Sequence, residues 1–565
     1  MSSTPGNSPH SPSHTEVLPK KSKRRFLKFL PLVPMALVAL VVTLSYVKSH
    51  GQPYSQDIDE SLIPKFSSAS LDFTHEFDST SLPMIGSAII DIDGDRVPEV
   101  FLGGAKNQAD GLFRYKDGGF TPIENSAGIS KTVPDATYGA ATIDVDKDGD
   151  SDLFVARDSG VTLYINEGGT FAGKKLELPF DEKSTPVSFS LADLNHDGAV
   201  DMFVSTYLPK AKMEGMNIFN KENYGSNSLL LVNNGDNTFT DITDKAGMRD
   251  THNTFCRIFV DIDGDNEQDL VVAHDTGTVK TWKNMGNMTF KDVANPTSDV
   301  FGYPMGIAMA DYDNNGKVDF FFSNTGGTVP DFLGKGDLRD DQVFEDRLTF
   351  FRNDGGFKFT NISEETKTAK YEFSWGTVFH DLNLDGRQDL VISQNFVDFP
   401  LHKLFKLPGR VLIQRPDGTF AATEERSNVV NRRYEITSLV ADFNLDGYPD
   451  MVRVNLDGPA VAFINDGGDS HFVKVRIPDT ADTMGTKVSV TKSDGTVLTD
   501  WMVTGEGLVC DQTHVLTFGL GADTNCSRID ITYPNGKTQT IENPKVDSLI
   551  EVEPQATADS IAGLP

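Results

Sequence analysis

Short apolar runs and polar turns alternate along most of this chain, and one stretch shows the scheme. Val187 to Leu194, Val200 to Thr206, Ser228 to Asn233 and Thr238 to Ile242 are four successive runs, with Asn234-Gly235-Asp236 turning between the last two. Runs of this length bounded by Gly, Asn and Asp predict strands, and four antiparallel strands make one propeller blade. Between the first two runs lies an acidic loop of the form D-x-[DN]-x-[DN]-G-x-x-[DE], and it occurs seven times, starting at Asp91, Asp144, Asp193, Asp261, Asp311, Asp381 and Asp442. The spacings are 53, 49, 68, 50, 70 and 61 residues. A period near fifty with several strands per unit marks a β-propeller.

The chain is therefore expected to be all-β, with a seven-bladed β-propeller over residues 71–465. Leu71 to Phe77 should join the last blade near Val461 to Asn465, and such closure removes exposed edges. Residues 469–553 read as a small β-sandwich-like domain with Asp494-Gly495 and Asn535-Gly536 as hairpin turns. Residues 554–565 form a disordered tail.

The loops carry the chemistry. A hard dication such as calcium takes six to eight oxygens, and acidic or amide side chains at alternate positions of a tight loop supply them. Positions 1, 3, 5 and 9 do so here. The predicted ligands are Asp91, Asp93, Asp95 and Glu99; Asp144, Asp146, Asp148 and Asp152; Asp193, Asn195, Asp197 and Asp201; Asp261, Asp263, Asp265 and Asp269. The last three loops offer Asp311, Asp313, Asn315 and Asp319; Asp381, Asn383, Asp385 and Asp389; Asp442, Asn444, Asp446 and Asp450. These 28 positions hold 24 acids, which would repel one another without a cation. Up to seven Ca2+ sites follow.

Glycine at position 6 lets the chain take a positive φ. Asn266 replaces it tolerably in the fourth loop, whereas Arg96 in the first is expected to give the weakest or most distorted site. The loops are not EF-hands: position 12 is apolar or small and the flanks read as strands. Asp, Asn and Gly also form ordinary turns, but a turn needs no carboxylate at four fixed offsets.

Over 565 residues the formal charge is −31, and seven dications would bring it to roughly −17. An acidic chain offers no basic surface for phosphates, so nucleic acid is not an expected partner. Of the three cysteines, Cys256 lies in an apolar strand and reads as a buried small hydrophobe; Cys510 and Cys526 lie in one β domain, and their pairing is open.

Residues 1–28 read as a disordered basic tail ending in Lys20, Lys21, Lys23, Arg24, Arg25 and Lys28. Residues 29–47 are uncharged and apolar, long enough for a transmembrane helix. The basic cluster keeps the N-terminus cytoplasmic, so a single-pass anchor with a linker over 48–70 and the bulk outside is expected. A cleaved signal peptide has a shorter apolar core, and Ser45 to Ser49 offers no clean cleavage site.

On these residues the chain resembles the FG-GAP and VCBS repeat, the calcium-bearing blade of integrin α-subunits and many bacterial surface proteins. NNGDNTFTDITDKAGM (233–248) and YPMGIAMADYDNNGKVDFFFSNTG (303–326) resemble the subfamily ending in an ASPIC and UnbV domain, as do GTKVSVTKSDGTVLTDWMVTGEG, HVLTFGLG and RIDITYPNGKTQTI in the tail. The resemblance implies a bacterial envelope protein, periplasmic or extracellular.

Three long segments, Tyr207 to Asn227, Thr328 to Arg347 and Asn395 to Arg410, fall between second and third strands and should crowd the face opposite the acidic loops. One carries Phe396, Phe399, Leu401, Leu404 and Phe405 with Lys403, Lys406 and Arg410; another carries Asp337, Asp340, Asp341, Glu345 and Asp346. Exposed aromatics beside Arg or Lys suit an interface. No nucleophile elbow, HExxH helix or phosphate loop is present, and His196 and His380 read as solvated or packing residues. The expected function is protein or glycan binding and adhesion. A carbohydrate-active or other hydrolytic enzyme with its site at the propeller mouth, and an envelope assembly factor, are the alternatives.

Overall fold

The computed structural model describes Leu40 and residues 53–129, 135–213, 224–293, 300–326, 338–339, 341–394, 407–456 and 458–553. Apart from Leu40, the expected tail and membrane span lie outside the described residues, as do most of the three insertions. Among the described residues no helix is long and apolar enough to cross a membrane.

Seven four-stranded antiparallel blades are formed by the described residues. Blade 2 is typical: Thr137–Ile143, Asp152–Arg157, Gly160–Asn166 and Phe171–Lys175 pair in sequence order. The first strands of the others are Ser87–Ile90, Thr185–Ala192, Thr254–Val260, Ile307–Ala310, Ser374–His380 and Tyr434–Ala441. Each packs against the first strand of the next blade, and Tyr434–Ala441 packs against Ser87–Ile90 to complete the ring. First strands are buried on both faces, as burial in a ring between neighbouring blades requires.

Ring closure uses the expected partner but a different strand. Phe66–Leu71, not Leu71 to Phe77, pairs antiparallel with Val461–Asn465 as the fourth strand of blade 7, from Phe66 opposite Asn465 to Ala69 opposite Ala462. Its last residues, Ser70 and Leu71, also pair in parallel with Gly119 and Phe120 of blade 1. Phe66 is fully buried with Val378 and Phe463, and of the expected segment Thr74 and His75 pair instead with Pro459 and Gly458, just before Val461.

The C-terminal segment forms two sheets. One holds His471–Arg476 between Val515–Gly521 and Ser548–Glu551; the other orders Val497–Trp501, Lys487–Lys492, Cys526–Thr532 and Thr538–Glu542. Gly495 and Gly536 turn the two expected hairpins at φ +88° and +77°. Val473, Phe518, Val488 and Ile529 pack together between the sheets, and the same core continues into Phe154 and Phe189 of the ring. Cys256, Cys510 and Cys526 are all free and buried, so Cys510 and Cys526 do not pair.

Candidate metal centres

Every acidic loop joins the first strand of a blade to the second, and all seven use one backbone scheme. The first-position Asp accepts the N–H of the sixth residue at 2.7–3.1 Å in each loop. The sixth residue is left-handed throughout, including Arg96 at φ +74° and Asn266 at +68°. The fourth residue is left-handed as well: Gly94, Lys147, His196, Gly264, Asn314, Leu384 and Leu445. Sequence reasoning missed that second turn, because five of the seven residues there are not glycine.

The ninth-position acids open the second strands and are all 0% exposed. One oxygen of each accepts the N–H of the loop's second residue at 2.8–3.1 Å. In blades 2 to 7 the other accepts the N–H of Asn166, Asn233, Asn284, Asn353, Gln414 or Asn465, at or within two residues of the end of the third strand, at 2.7–2.9 Å. Four of those amides reach onward to the preceding blade, as Asn166 Nδ2 does to Ile92 O at 2.9 Å. The ninth acid is thus a rivet between strands as well as a candidate ligand.

Burial pushes these acids up: Glu99, Asp152 and Asp201 to about 7, Asp269, Asp319 and Asp450 to about 8, with neighbouring carboxylates adding to the rise in most loops. Burial also raises the first-position Asp144, Asp193, Asp261, Asp311 and Asp381. A cation among them would restore the ionised form.

Two ligands on opposite sides of a calcium ion stand at most about 5 Å apart. Carboxylate oxygens of Asp144, Asp146 and Asp152, and of Asp311, Asp313 and Asp319, gather within 4.8 Å of one another, so loops 2 and 5 fit the ion. Loop 3 offers Asp193, Asp197 and Asp201 with an amide, Asn195, at the third position where loops 2 and 5 have Asp, and Asn195 donates to Asp197 at 2.8 Å. The acids of loops 1 and 4 gather too, through Asp91, Asp93, Asp95 and Asp261, Asp263, Asp265, but in different company. Arg114 bonds Asp93 at 2.8 Å, approaches Asp95 at 3.5 Å and pairs with Glu99. Lys283 bonds Asp265 at 2.7 Å and pairs with Asp263. In loop 6 Arg387 pairs with Asp385, and Asn383 Nδ2 donates to Leu62 O at 2.7 Å.

The C-terminal sheets cover these loops, a placement nothing in the sequence announced. Arg476 bonds Asp91 at 2.6 Å, Lys474 pairs with Asp442, Lys147 bonds Asp482 at 2.8 Å, and Lys487 Nζ donates to Gly316 O at 2.6 Å. Gly519 lies so close to loop 6 that a Cβ there would stand 2.1 Å from Asp381 Oδ2. A cavity of about 140 Å³ remains between loops 4 and 5, lined by Asp261, Asp263, Lys487, Trp501 and Tyr533 among others.

From this cover, residues 504–512 enter the ring along its axis and bond every blade's first strand. Cys510–Asp511 pairs with Ser87–Ala88 of blade 1. Asp511 Oδ2 accepts Thr142 N at 2.8 Å, Thr504 Oγ1 accepts Leu191 N at 2.8 Å, and Cys256 Sγ donates to Gly507 O at 3.3 Å. Gly507 exchanges both backbone bonds with Ile307, Glu506 accepts Met309 N and Phe379 N, and Gln512 accepts Val440 N. Gly505 and Gly507 are left-handed at φ +87° and +100°, and a Cβ at Gly505 would stand 2.6 Å from Phe189 O. The Gly-Glu-Gly run was the available signal. The predicted rim residue Arg410 is instead buried, bonding Glu372 at 2.8 Å and Glu424 at 2.5 Å.

Comparison with known proteins agrees with this layout. The FG-GAP-like repeat profile matches residues 91–155, 144–204 and 261–322, and the ASPIC and UnbV profile matches 478–559. Cartilage acidic protein 1 from Homo sapiens is 22% identical over 499 residues, covering 83% of this chain and 63% of its own length. The Xenopus tropicalis protein of that name is 22% identical over 575 residues, covering 93% and 81%. Thus the chain spans less than two thirds of the human relative. Among solved structures, YCF48 from Cyanidioschyzon merolae superposes at TM-score 0.41 with 11% identity, over 71% of this chain and 99% of that one. An Agrocybe aegerita lectin recognising terminal N-acetylglucosamine does so at 0.36 with 17% identity, over 71% and 94%. The blade count rests on the sheets themselves. With its acidic loops between first and second strands and its two-sheet cover behind them, this chain carries FG-GAP-like repeats followed by an ASPIC and UnbV domain.

Proposed function

We propose that this protein is a membrane-tethered, calcium-stabilised propeller displayed outside the cytoplasm, in the periplasm or on the outer surface, that binds a protein or glycan on the face opposite its acidic loops. The observation that carries this reading is the occupation of the loop face and axis by the C-terminal sheets and residues 504–512. A partner is left the other face, where the longest second-to-third strand connections of blades 3, 5 and 6 emerge. Calcium in loops 2, 3 and 5 is structural in this reading: the ion joins the first and third loop positions to the ninth acid, which already rivets three strands. Residues 29–47 supply the tether.

A hydrolytic site at the loop-side mouth of the ring has no room, because Glu506, Gly507, Asp511 and Gln512 occupy it. The test of the binding reading replaces residues 395–406 by a short Gly-Ser turn in the full chain and compares proteins co-purifying from the native membrane, and glycans bound on an array, with wild type. We expect loss of the bound partner at unchanged melting temperature. Retention of every partner after all three long connections are shortened would sink it.

A further inference from the structure

The seven loops share a backbone but not a counter-charge: Arg387 meets one predicted ligand in loop 6 and Lys474 one in loop 7, whereas in loops 1 and 4 a cation on the third strand meets several at once. In blades 2 to 7 the residue before the Asn or Gln held by the ninth acid is Ile165, Val232, Lys283, Arg352, Ile413 or Ile464. In blade 1 the strand partner of Glu99 is Arg114. Aliphatic residues there bring no charge to the loop. Arg352 turns to Asp354 at 3.0 Å, whereas Arg114 and Lys283 reach into their own loops and each bridge two or more predicted ligands.

Three further observations fall on these same two loops. They are the two that lack glycine at position 6, with Arg96 and Asn266. In loops 2 and 5 the gathered oxygens come from positions 1, 3 and 9; in loops 1 and 4 they come from 1, 3 and 5. Each loop also has one further contact that backs its cation or adds to it. Lys283 Nζ lies 5.2 Å from the centre of the Phe357 ring, and in loop 1 Arg476 covers Asp91 at 2.6 Å, so every predicted ligand there meets a guanidinium.

We propose that loops 1 and 4 are neutralised by Arg114 and Lys283 and take no divalent ion, leaving at most five of the seven loops for calcium. A calcium ion needs those carboxylate oxygens at about 2.3–2.6 Å. An ammonium bonded to the same oxygens excludes it by charge and by space. The guanidinium of Arg114 cannot give way by deprotonating. The two blades thereby keep their closed loops when calcium is scarce.

This rests on the reading that other loops take calcium, and one titration separates the two. Calcium is titrated into the chelator-stripped full chain in detergent, and bound ions per chain are counted by equilibrium dialysis for wild type, Lys283→Ile and Ile165→Lys. We expect no more than five ions in wild type, one more in Lys283→Ile and one fewer in Ile165→Lys. Six or seven ions in wild type, an unchanged count in Lys283→Ile, or anomalous calcium scattering at loop 4 of a wild-type crystal overturns the proposal alone. No bound calcium in any of the three overturns it together with the calcium reading. Should Lys283→Ile fail to fold, the wild-type count and the scattering at loop 4 still decide.

Discussion

On one face of the ring every blade ends alike: an Asp holding the sixth N–H, two left-handed residues, and a fully buried acid tying three strands. On the other face no rule holds. The second and third strands are joined by a tight turn from Arg157 to Gly160 in blade 2 but by a long excursion from Tyr207 to Leu229 in blade 3. The uniform face is the one the C-terminal sheets cover, and they can cover it because seven similar loops present one repeated surface. The irregular face is free to vary because its connections contribute little to strand pairing, which is where binding residues tend to accumulate. Stability should therefore be concentrated on the loop side and partner binding on the other.

The largest expected effect comes from breaking the axial insertion. Asp511 is fully buried, and its carboxylate accepts Thr142 N at 2.8 Å, Thr142 Oγ1 at 3.2 Å and Gly505 N at 2.9 Å. Asp511→Ala leaves those donors without their acceptor and His514 without one of its two buried counter-charges, at a cost of about 3–5 kcal/mol. A denaturant midpoint measured on Asp511→Ala should fall steeply. On the insertion side, Val343 is 62% exposed, and Val343→Ser should stay within about 0.5 kcal/mol of wild type. Equal losses at the two positions would erase the contrast between faces.

A smaller effect follows from His514, which stands beneath the cover with Nδ1 3.3 Å from Asp479 Oδ2 and Nε2 3.6 Å from Asp511 Oδ2. Burial alone would lower the imidazole, but the two carboxylates overcome it and raise it to about 10. Nε2 is beyond hydrogen-bond range of Asp511, so on that side the attraction is one of charge. Because the folded value lies above the unfolded value near 6.5, the stabilisation is complete below pH 6.5 and is lost as pH rises through about 10. Wild type should lose a few degrees of melting temperature between pH 7 and 10, and His514→Gln should flatten that slope. Parallel slopes would mean that the imidazole is not charged at neutral pH.

The seven blades and the place of each acidic loop were legible because the signal is repeated: Asp, Asp or Asn, and a final acid recur at fixed offsets before an apolar strand. The tail's hairpins at Gly495 and Gly536 were legible for the same local reason. Residues 504–512 were not, since their partners lie up to hundreds of positions away and are mainly backbone groups that any sequence possesses. Arg410 was misplaced because an arginine beside aromatics reads as surface, and only the fold brings Glu372 and Glu424 to it. The counter-charges Arg114 and Lys283 are visible in the sequence, but their meaning requires the register that sets them beside Glu99 and Asp269.

The smallest effect probes the second left-handed turn. Leu445 and Leu384 occupy the same fourth loop position at φ +60° and +57°, where an L-residue with a bulky side chain is strained by roughly 1–2 kcal/mol. Asparagine enters this region more readily, and blade 5 already has Asn314 there at φ +57°. Leu445 is 52% exposed, so Leu445→Asn gives up little burial and should stabilise the chain by up to about 1 kcal/mol, read as a higher urea midpoint. Leu384 is 0% exposed beneath the C-terminal sheets, where Gly521 N bonds its carbonyl at 2.8 Å. Leu384→Asn relieves the same backbone strain but puts an amide where the cover packs, and should destabilise. The opposite signs at one loop position separate backbone preference from docking: if both variants gain, the cover does not press on loop 6, and if both lose, the left-handed turn is not what strains the loop.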